Sequence, residues 1–171
     1  MSDDRHMRRA LDLARTALNQ GELPIAAVLT LGDNVVEEGH NYVKGGANLL
    51  EHAEYRVLGA AAPRLRKVKI LDRRKYCLYV TLEPCMMCFG AIMNLNLGRL
   101  VYALESPGDG VLPLVHQWEK KSEQLPFYKA PETEKGLMRE KSAALFREFA
   151  DRHPSSQFAK WTRQLGNLVG F

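Results

Sequence analysis

Tyr76-Cys77-Leu78-Tyr79-Val80-Thr81-Leu82-Glu83-Pro84-Cys85-Met86-Met87-Cys88 is the stretch that decides how the chain folds. Tyr76 to Leu82 is apolar almost throughout and rich in residues that suit a pleated surface. It reads as a strand covered on both faces. Pro84 can open a helix at its first turn, where a missing N–H costs nothing. A helix is therefore expected from Cys85 to about Asn94. Cys85 and Cys88 then stand at a strand-to-helix junction with the spacing of two metal ligands. The positive end of the helix dipole favours their thiolate forms.

One histidine would complete a three-ligand set, and His52-Ala53-Glu54 lies upstream. An imidazole with two thiolates is a soft donor set that favours Zn2+ over magnesium or calcium. Three protein ligands leave the fourth tetrahedral position open, as in catalytic zinc sites. Zinc in such a site lowers the pKa of water toward ~7. Glu54 is the candidate to carry that water's protons. A Cys-x-x-Cys pair alone is a weak signal, shared by redox pairs and structural zinc half-sites. The redox reading leaves His52 and Glu54 idle. The structural-zinc reading lacks a fourth ligand, because Cys77 sits inside the strand and reads as a small buried hydrophobe. His-x-Glu followed by Pro-Cys-x-x-Cys is the zinc-deaminase signature.

Outward from this centre the chain alternates elements. His6 to Asn19 has one apolar helical face formed by Met7, Ala10, Leu11, Ala14, Ala17 and Leu18, and Gly21 ends it. Pro24 to Leu31 and Val35 to Asn41 read as a hairpin around Gly32-Asp33-Asn34. A second helix is expected from Glu51 to about Ala60, capped by Asn48 with Glu51 and stopped by Pro63. Arg64, Arg66, Lys67 and Lys69 form one basic cluster and Arg73, Arg74 and Lys75 another. Both read as solvated surface, with nucleic-acid contact as the alternative. Downstream, Arg99 to Leu104 is a strand. Glu105 to Gly110 is a loop beyond its C-terminal end, where open α/β sheets place ligands. Val111 to Trp118 is apolar, with His116 and Trp118 as pocket-wall or packing candidates. Gln124 to Glu132 is turn-like. Glu134 to Ala150 reads as a helix, and a last helix around Phe158 to Leu165 is expected to bury Phe158, Trp161 and Leu165. The order predicts one α/β layered domain over residues 1–171. Its core spans about 6–150, with a C-terminal helical extension over about 151–171.

Composition bounds the partners. The 171 residues suit one ordinary core. A net charge of +4, from 24 basic and 20 acidic residues, permits a phosphate backbone without demanding one. No apolar run reaches the roughly 18 residues of a membrane helix. The charged start, Met1 to Arg9, has no apolar segment behind it, so the expected location is cytoplasmic. Three cysteines argue against a disulfide scaffold.

The chain resembles the cytidine/deoxycytidylate deaminase superfamily, and within it the tRNA-adenosine and guanine deaminase branch. The residues carrying the resemblance are Leu23-Pro24-Ile25-Ala26-Ala27-Val28, Gly39-His40-Asn41, His52-Ala53-Glu54, Tyr79 to Cys88 and Gly90-Ala91-Ile92. It covers Met7 to Leu104 well and the region of Ala143 to Phe146 more loosely. The resemblance implies a three-layer α-β-α sandwich with a five-stranded mixed sheet. It implies zinc on His52, Cys85 and Cys88, and Glu54 as proton shuttle. It places Asn41 on the substrate and the backbone around Ala53 and Pro84 on the pocket wall. It also implies a homodimer. Two positions depart from the tRNA-editing pattern. The loop Glu105-Ser106-Pro107-Gly108-Asp109-Gly110 replaces one with Arg-Asp and small residues, making Glu105 and Asp109 candidate substrate contacts. Phe89 replaces a small alanine and either reshapes the pocket or packs behind the metal. The expected activity is hydrolytic deamination of a free nucleobase or nucleoside. The alternatives are a tRNA wobble-adenosine or other nucleic-acid deaminase and, in another class, a non-catalytic zinc-stabilised interaction protein.

Overall fold

The computed structural model describes residues 2–119 and 129–168, apart from the side chains of His116, Trp118 and Glu119. The pocket-wall reading of His116 and Trp118, and residues 124–128 of the turn-like stretch, lie outside the described residues. Helices are α1 (Ser2–Asn19), α2 (Ala53–Leu65), α3 (Met86–Asn94), α4 (Leu112–Glu119), α5 (Arg139–Arg152) and α6 (Ala159–Gly166). Strands are β1 (Ala26–Leu31), β2 (Asn34–His40), β3 (Tyr76–Leu82), β4 (Arg99–Leu104) and β5 (Glu132–Lys135). The strands form one mixed sheet in the order β2-β1-β3-β4-β5. β1 runs antiparallel to β2 and β3, and β3, β4 and β5 run parallel.

The alternation of side chains in β3 explains the layers. Cys77 and Tyr79 point to one face, where they meet Met7, Ala10 and Ala14 of α1 and Leu145 and Phe149 of α5. Leu78, Val80 and Leu82 point to the other, against Val57, Leu58 and Ala61 of α2 and Phe89, Ile92 and Met93 of α3. Every residue of β3 is buried, as its apolar run predicts. Where α3 returns to β4, Gly98 passes so close to the Arg74 carbonyl that any Cβ would collide with it.

Several boundaries differ from the sequence reading. α2 starts at Ala53, and Asn48 with Glu51 forms a local turn before it: Asn48 Oδ1 accepts from the Leu50 N–H at 3.1 Å. Pro63 lies inside the last turn of α2 rather than stopping it. So close to the end, it removes one helical N–H without displacing more than two further residues. Pro84 precedes α3, whose N-cap is Cys85. Glu134 and Lys135, expected in a helix, belong to edge strand β5. α5 begins only after Gly136 (φ 85) and Met138 (φ 57) turn the chain. Phe158 is exposed, not buried.

The second basic cluster is partly structural. Arg74 donates to the carbonyls of Leu97 (3.0 Å), Lys129 (2.9 Å) and Ala130 (3.2 Å). In the first cluster, Arg64 pairs with Glu37 at 2.7 Å. Arg74 precedes β3, at the end of the sheet away from Cys85.

Candidate metal centre and active-site cavity

Two helix starts converge beyond the C-terminal end of β3. His52 is the N-cap of α2, with extended backbone (φ −67, ψ 148) and no capping hydrogen bond from its side chain. Cys85 is the N-cap of α3, likewise extended (φ −72, ψ 171) and uncapped. Cys88 lies in the first turn of α3, fully buried. The ring nitrogen Nδ1 of His52 is 3.7 Å from each sulfur. The three donor atoms lie within 4.8 Å of one another. A tetrahedral ion with Zn–S of ~2.3 Å and Zn–N of ~2.0 Å places its ligands about 3.6–3.8 Å apart, so the set fits zinc. A hydrogen bond from Cys88 holds the Cys85 thiol down at about 4, while the same pairing raises Cys88. The hydrogen bond with Cys85 raises His52.

Residues two apart on a helix do not share a face. His52 and Glu54 escape this rule because α2 begins between them: His52 keeps extended backbone and Glu54 occupies the first turn. Glu54 is 3% exposed and faces the same cavity as His52 and Cys85. Burial pushes its carboxyl up to about 7.

That cavity has a volume of about 1070 Å³. Asn41 and Asp109 lie on its wall. The expectation for Ala53 and Pro84 concerned the backbone around them, and their neighbours His52, Glu54, Glu83 and Cys85 line the cavity; the side chains of Ala53, Pro84, Phe89 and Glu105 turn elsewhere. The Ala53 methyl is packed into the core between α2 and the sheet. Pro84 is buried, its carbonyl accepting from the Val111 N–H at 3.3 Å. Phe89 packs in the core with the α2 and α3 residues. Glu105 turns to α5, where its carboxylate accepts from Arg139 Nε at 2.7 Å.

Two carboxylates organise the wall. Glu83 anchors the loop after β4: its carboxylate accepts from the Ser106 N–H (3.0 Å) and the Leu112 N–H (3.2 Å). Ser106 Oγ in turn donates to Asp109. Gly110 forms a bridge with Cys85 and leaves no room for a Cβ beside Glu83. Glu22, which sequence reasoning missed, is buried on the cavity wall. It accepts from Asn41 Nδ2 at 3.1 Å and from the Gly45 N–H at 2.7 Å. Its only signal was a carboxylate between a helix-ending glycine and Leu23-Pro24. The C-terminal segment was also missed: His153, Phe158 and Trp161 reach the cavity.

This sheet, with a His, Cys, Cys centre at two helix starts and a buried glutamate beside it, defines a class of metal-dependent deaminases. Residues 1–104 match the family described as the cytidine and deoxycytidylate deaminase zinc-binding region. The chain belongs to that family and is a zinc-dependent hydrolase that deaminates a nucleobase. It is 32% identical over 148 residues to a tRNA-specific adenosine deaminase of Rickettsia felis, covering 85% of this chain and 99% of that protein. Among solved structures, one from a study of tRNA:A34 deaminases is 32% identical, with a TM-score of 0.69, over 82% of this chain and 98% of the other. Guanine deaminase from Nitrosomonas europaea is 26% identical, with a TM-score of 0.69, over 85% and 83%. Among the described residues, no helix is long and apolar enough to cross a membrane.

Proposed function

We propose that the substrate is a free amino-bearing nucleobase or its nucleoside. The charge of the cavity wall carries this reading. Glu22, Glu54, Glu83 and Asp109 face it, against Lys44 as the one lysine or arginine among the described lining residues. A wall with this excess of carboxylates repels a phosphate backbone and tolerates a neutral ring. The place of Arg74, at the far end of the sheet and bonded to the Leu97, Lys129 and Ala130 carbonyls, supports the same reading.

His52, Cys85 and Cys88 would hold zinc, which would supply a Lewis acid that lets water lose a proton near neutral pH. Glu54 takes that proton on a carboxylate oxygen and passes it to the ring nitrogen beside the carbon under attack. The water oxygen bonds to that carbon, and Glu54 then carries the second proton, from the hydroxyl so formed, to the exocyclic amine. The C–N bond breaks, ammonia leaves, and a ring carbonyl remains. A carboxyl raised by burial suits a group that both accepts and donates. Asn41 commits its NH2 to the acceptor-only carboxylate of Glu22, so its oxygen is the end offered to a donor on the substrate. Asp109 offers a second acceptor.

The test is ammonia release by zinc-loaded protein over free bases, nucleosides, nucleotides and a tRNA anticodon hairpin. Turnover of a base or nucleoside, with a rate insensitive to salt, is the expected result. Turnover of the hairpin alone, falling steeply with salt, would overturn it. That second reading, a wobble-adenosine deaminase, is favoured by the identity to the Rickettsia felis protein over nearly its whole length.

We also propose a homodimer. Leu49 (81% exposed), Leu50, Tyr55 and Met86 (65% exposed) stand in the loop before α2 and at the starts of α2 and α3. Such a concentration of large apolar side chains marks an association surface. Sedimentation equilibrium is expected to return twice the chain mass, and Leu49→Lys with Met86→Lys is expected to return the monomer. A wild-type monomer at tens of micromolar would refute this.

A further inference from the structure

One part of the cavity wall has no role in the proton transfers: the segment from the end of α5 into α6, whose aromatic side chains Phe158 and Trp161 line the cavity. Phe158 is 40% exposed and Trp161 half-buried, although residues of this size gain most from full burial. Trp161 is nevertheless held firmly. Its ring meets the fully buried Phe146 edge-on, at 6.0 Å between centroids and 90° between planes. Phe158 flanks it at 6.4 Å and 64°. Its indole Nε1 lies 3.9 Å from where a Cβ on Gly108 would stand, next to Asp109 in the loop after β4.

The helix that carries Trp161 is itself locked to α5. Gly166 packs so closely on Arg147 and Ala143 that a Cβ would collide there. Arg147 donates to the Gly166 carbonyl, and Arg139 Nη1 donates to the Leu168 carbonyl at 2.9 Å. A large ring fixed in this way loses little entropy when a ligand lies against it. A planar base can stack on such a face whatever its substituents, because every base has a π-face.

We propose that Trp161 is a substrate-binding residue whose indole forms the stacking wall for the aminated aromatic ring. The inference rests on the reading of this cavity as the deamination site. It adds an element on α6, outside the matched residues 1–104.

The test compares Trp161→Leu, which keeps apolar bulk, with Trp161→Phe, which keeps an aromatic face. In the leucine variant KM for the base or nucleoside rises roughly 5- to 100-fold with kcat within about threefold, following the usual value of base–aromatic stacking. The phenylalanine variant recovers most of that loss. A merely structural tryptophan would lower the melting temperature in both and leave KM alone, which would overturn the proposal. A second readout does not need turnover. The chain has two tryptophans, so a Trp118→Phe background leaves Trp161 as the only indole. Adenine, guanosine and cytidine are titrated against its fluorescence. Saturable quenching by at least one of them is expected, and no quenching by any would overturn the proposal. Quenching without ammonia release would uphold the stacking wall while rejecting the small-substrate reading.

Discussion

Glu54→Gln is expected to abolish turnover while leaving fold and zinc content intact. Glutamine keeps the volume of a side chain that is 3% exposed, so no cavity opens on the inner side of α2. It cannot take a proton from water and return it. Deamination needs two such transfers, one to the ring nitrogen and one to the leaving amine. General acid–base help of this kind is typically worth about 10²–10⁴-fold. The loss should appear in kcat, because the transfers occur only on the way to the transition state. The decisive pair of measurements is ammonia release and metal content on the same preparation. A variant with one zinc per chain and less than a tenfold loss of kcat would remove Glu54 from the proposed chemistry. Loss of zinc together with activity would make it a structural support for His52 and the cysteines. Its position suits the first role, since His52, Cys85 and Cys88 complete a three-donor set without it.

The centre of the molecule was legible because its signals are local. The all-apolar run of β3 encodes a strand between two helical layers, and the two-residue spacing of Cys85 and Cys88 needs only one helical turn to make a pair. The rest depended on contacts between distant residues. β5 reads Glu-Thr-Glu-Lys, with every residue exposed, so no alternation marks it. It is a strand because its backbone pairs in parallel with Arg99 to Tyr102, and a charged edge of this kind discourages further pairing. Periodicity instead carried the α5 pattern five residues too far upstream, across Gly136. Glu22 acquires a role only when the β1–β2 hairpin brings Asn41 back beside it. The sequence leaves Phe89 open between the pocket and packing behind the metal, and it reads Trp161 only as packing for the last helix. The turn of α3 directs Phe89 into the core, while the packing of α6 on α5 brings Trp161 to the cavity.

Cys88→Ala is the substitution expected to dismantle the site most completely. Cys88 is fully buried in the first turn of α3, and its sulfur is one of three donors around a single point. Binding of zinc to a complete protein ligand set is worth on the order of 10 kcal/mol. Losing one of the two thiolates in this three-ligand set should therefore weaken it by roughly a hundredfold or more. Zinc content measured after dialysis against a mild chelator should fall from near one per chain to near zero, and activity with it. Because the ion joins the start of α2 to the start of α3, the melting temperature should fall as well. It should also stop responding to added zinc, since a ligand stabilises only by binding the folded state. Cys77→Ala separates this from the loss of a buried thiol as such. Cys77 lies on the opposite face of β3, against α1, where burial raises its thiol to about 11 and leaves it protonated. That variant should lose some packing but keep its zinc and its zinc-dependent melting. Full metal occupancy in Cys88→Ala, or loss of metal in Cys77→Ala, would contradict the ligand set, and the second result would move the metal to the α1 side of the sheet.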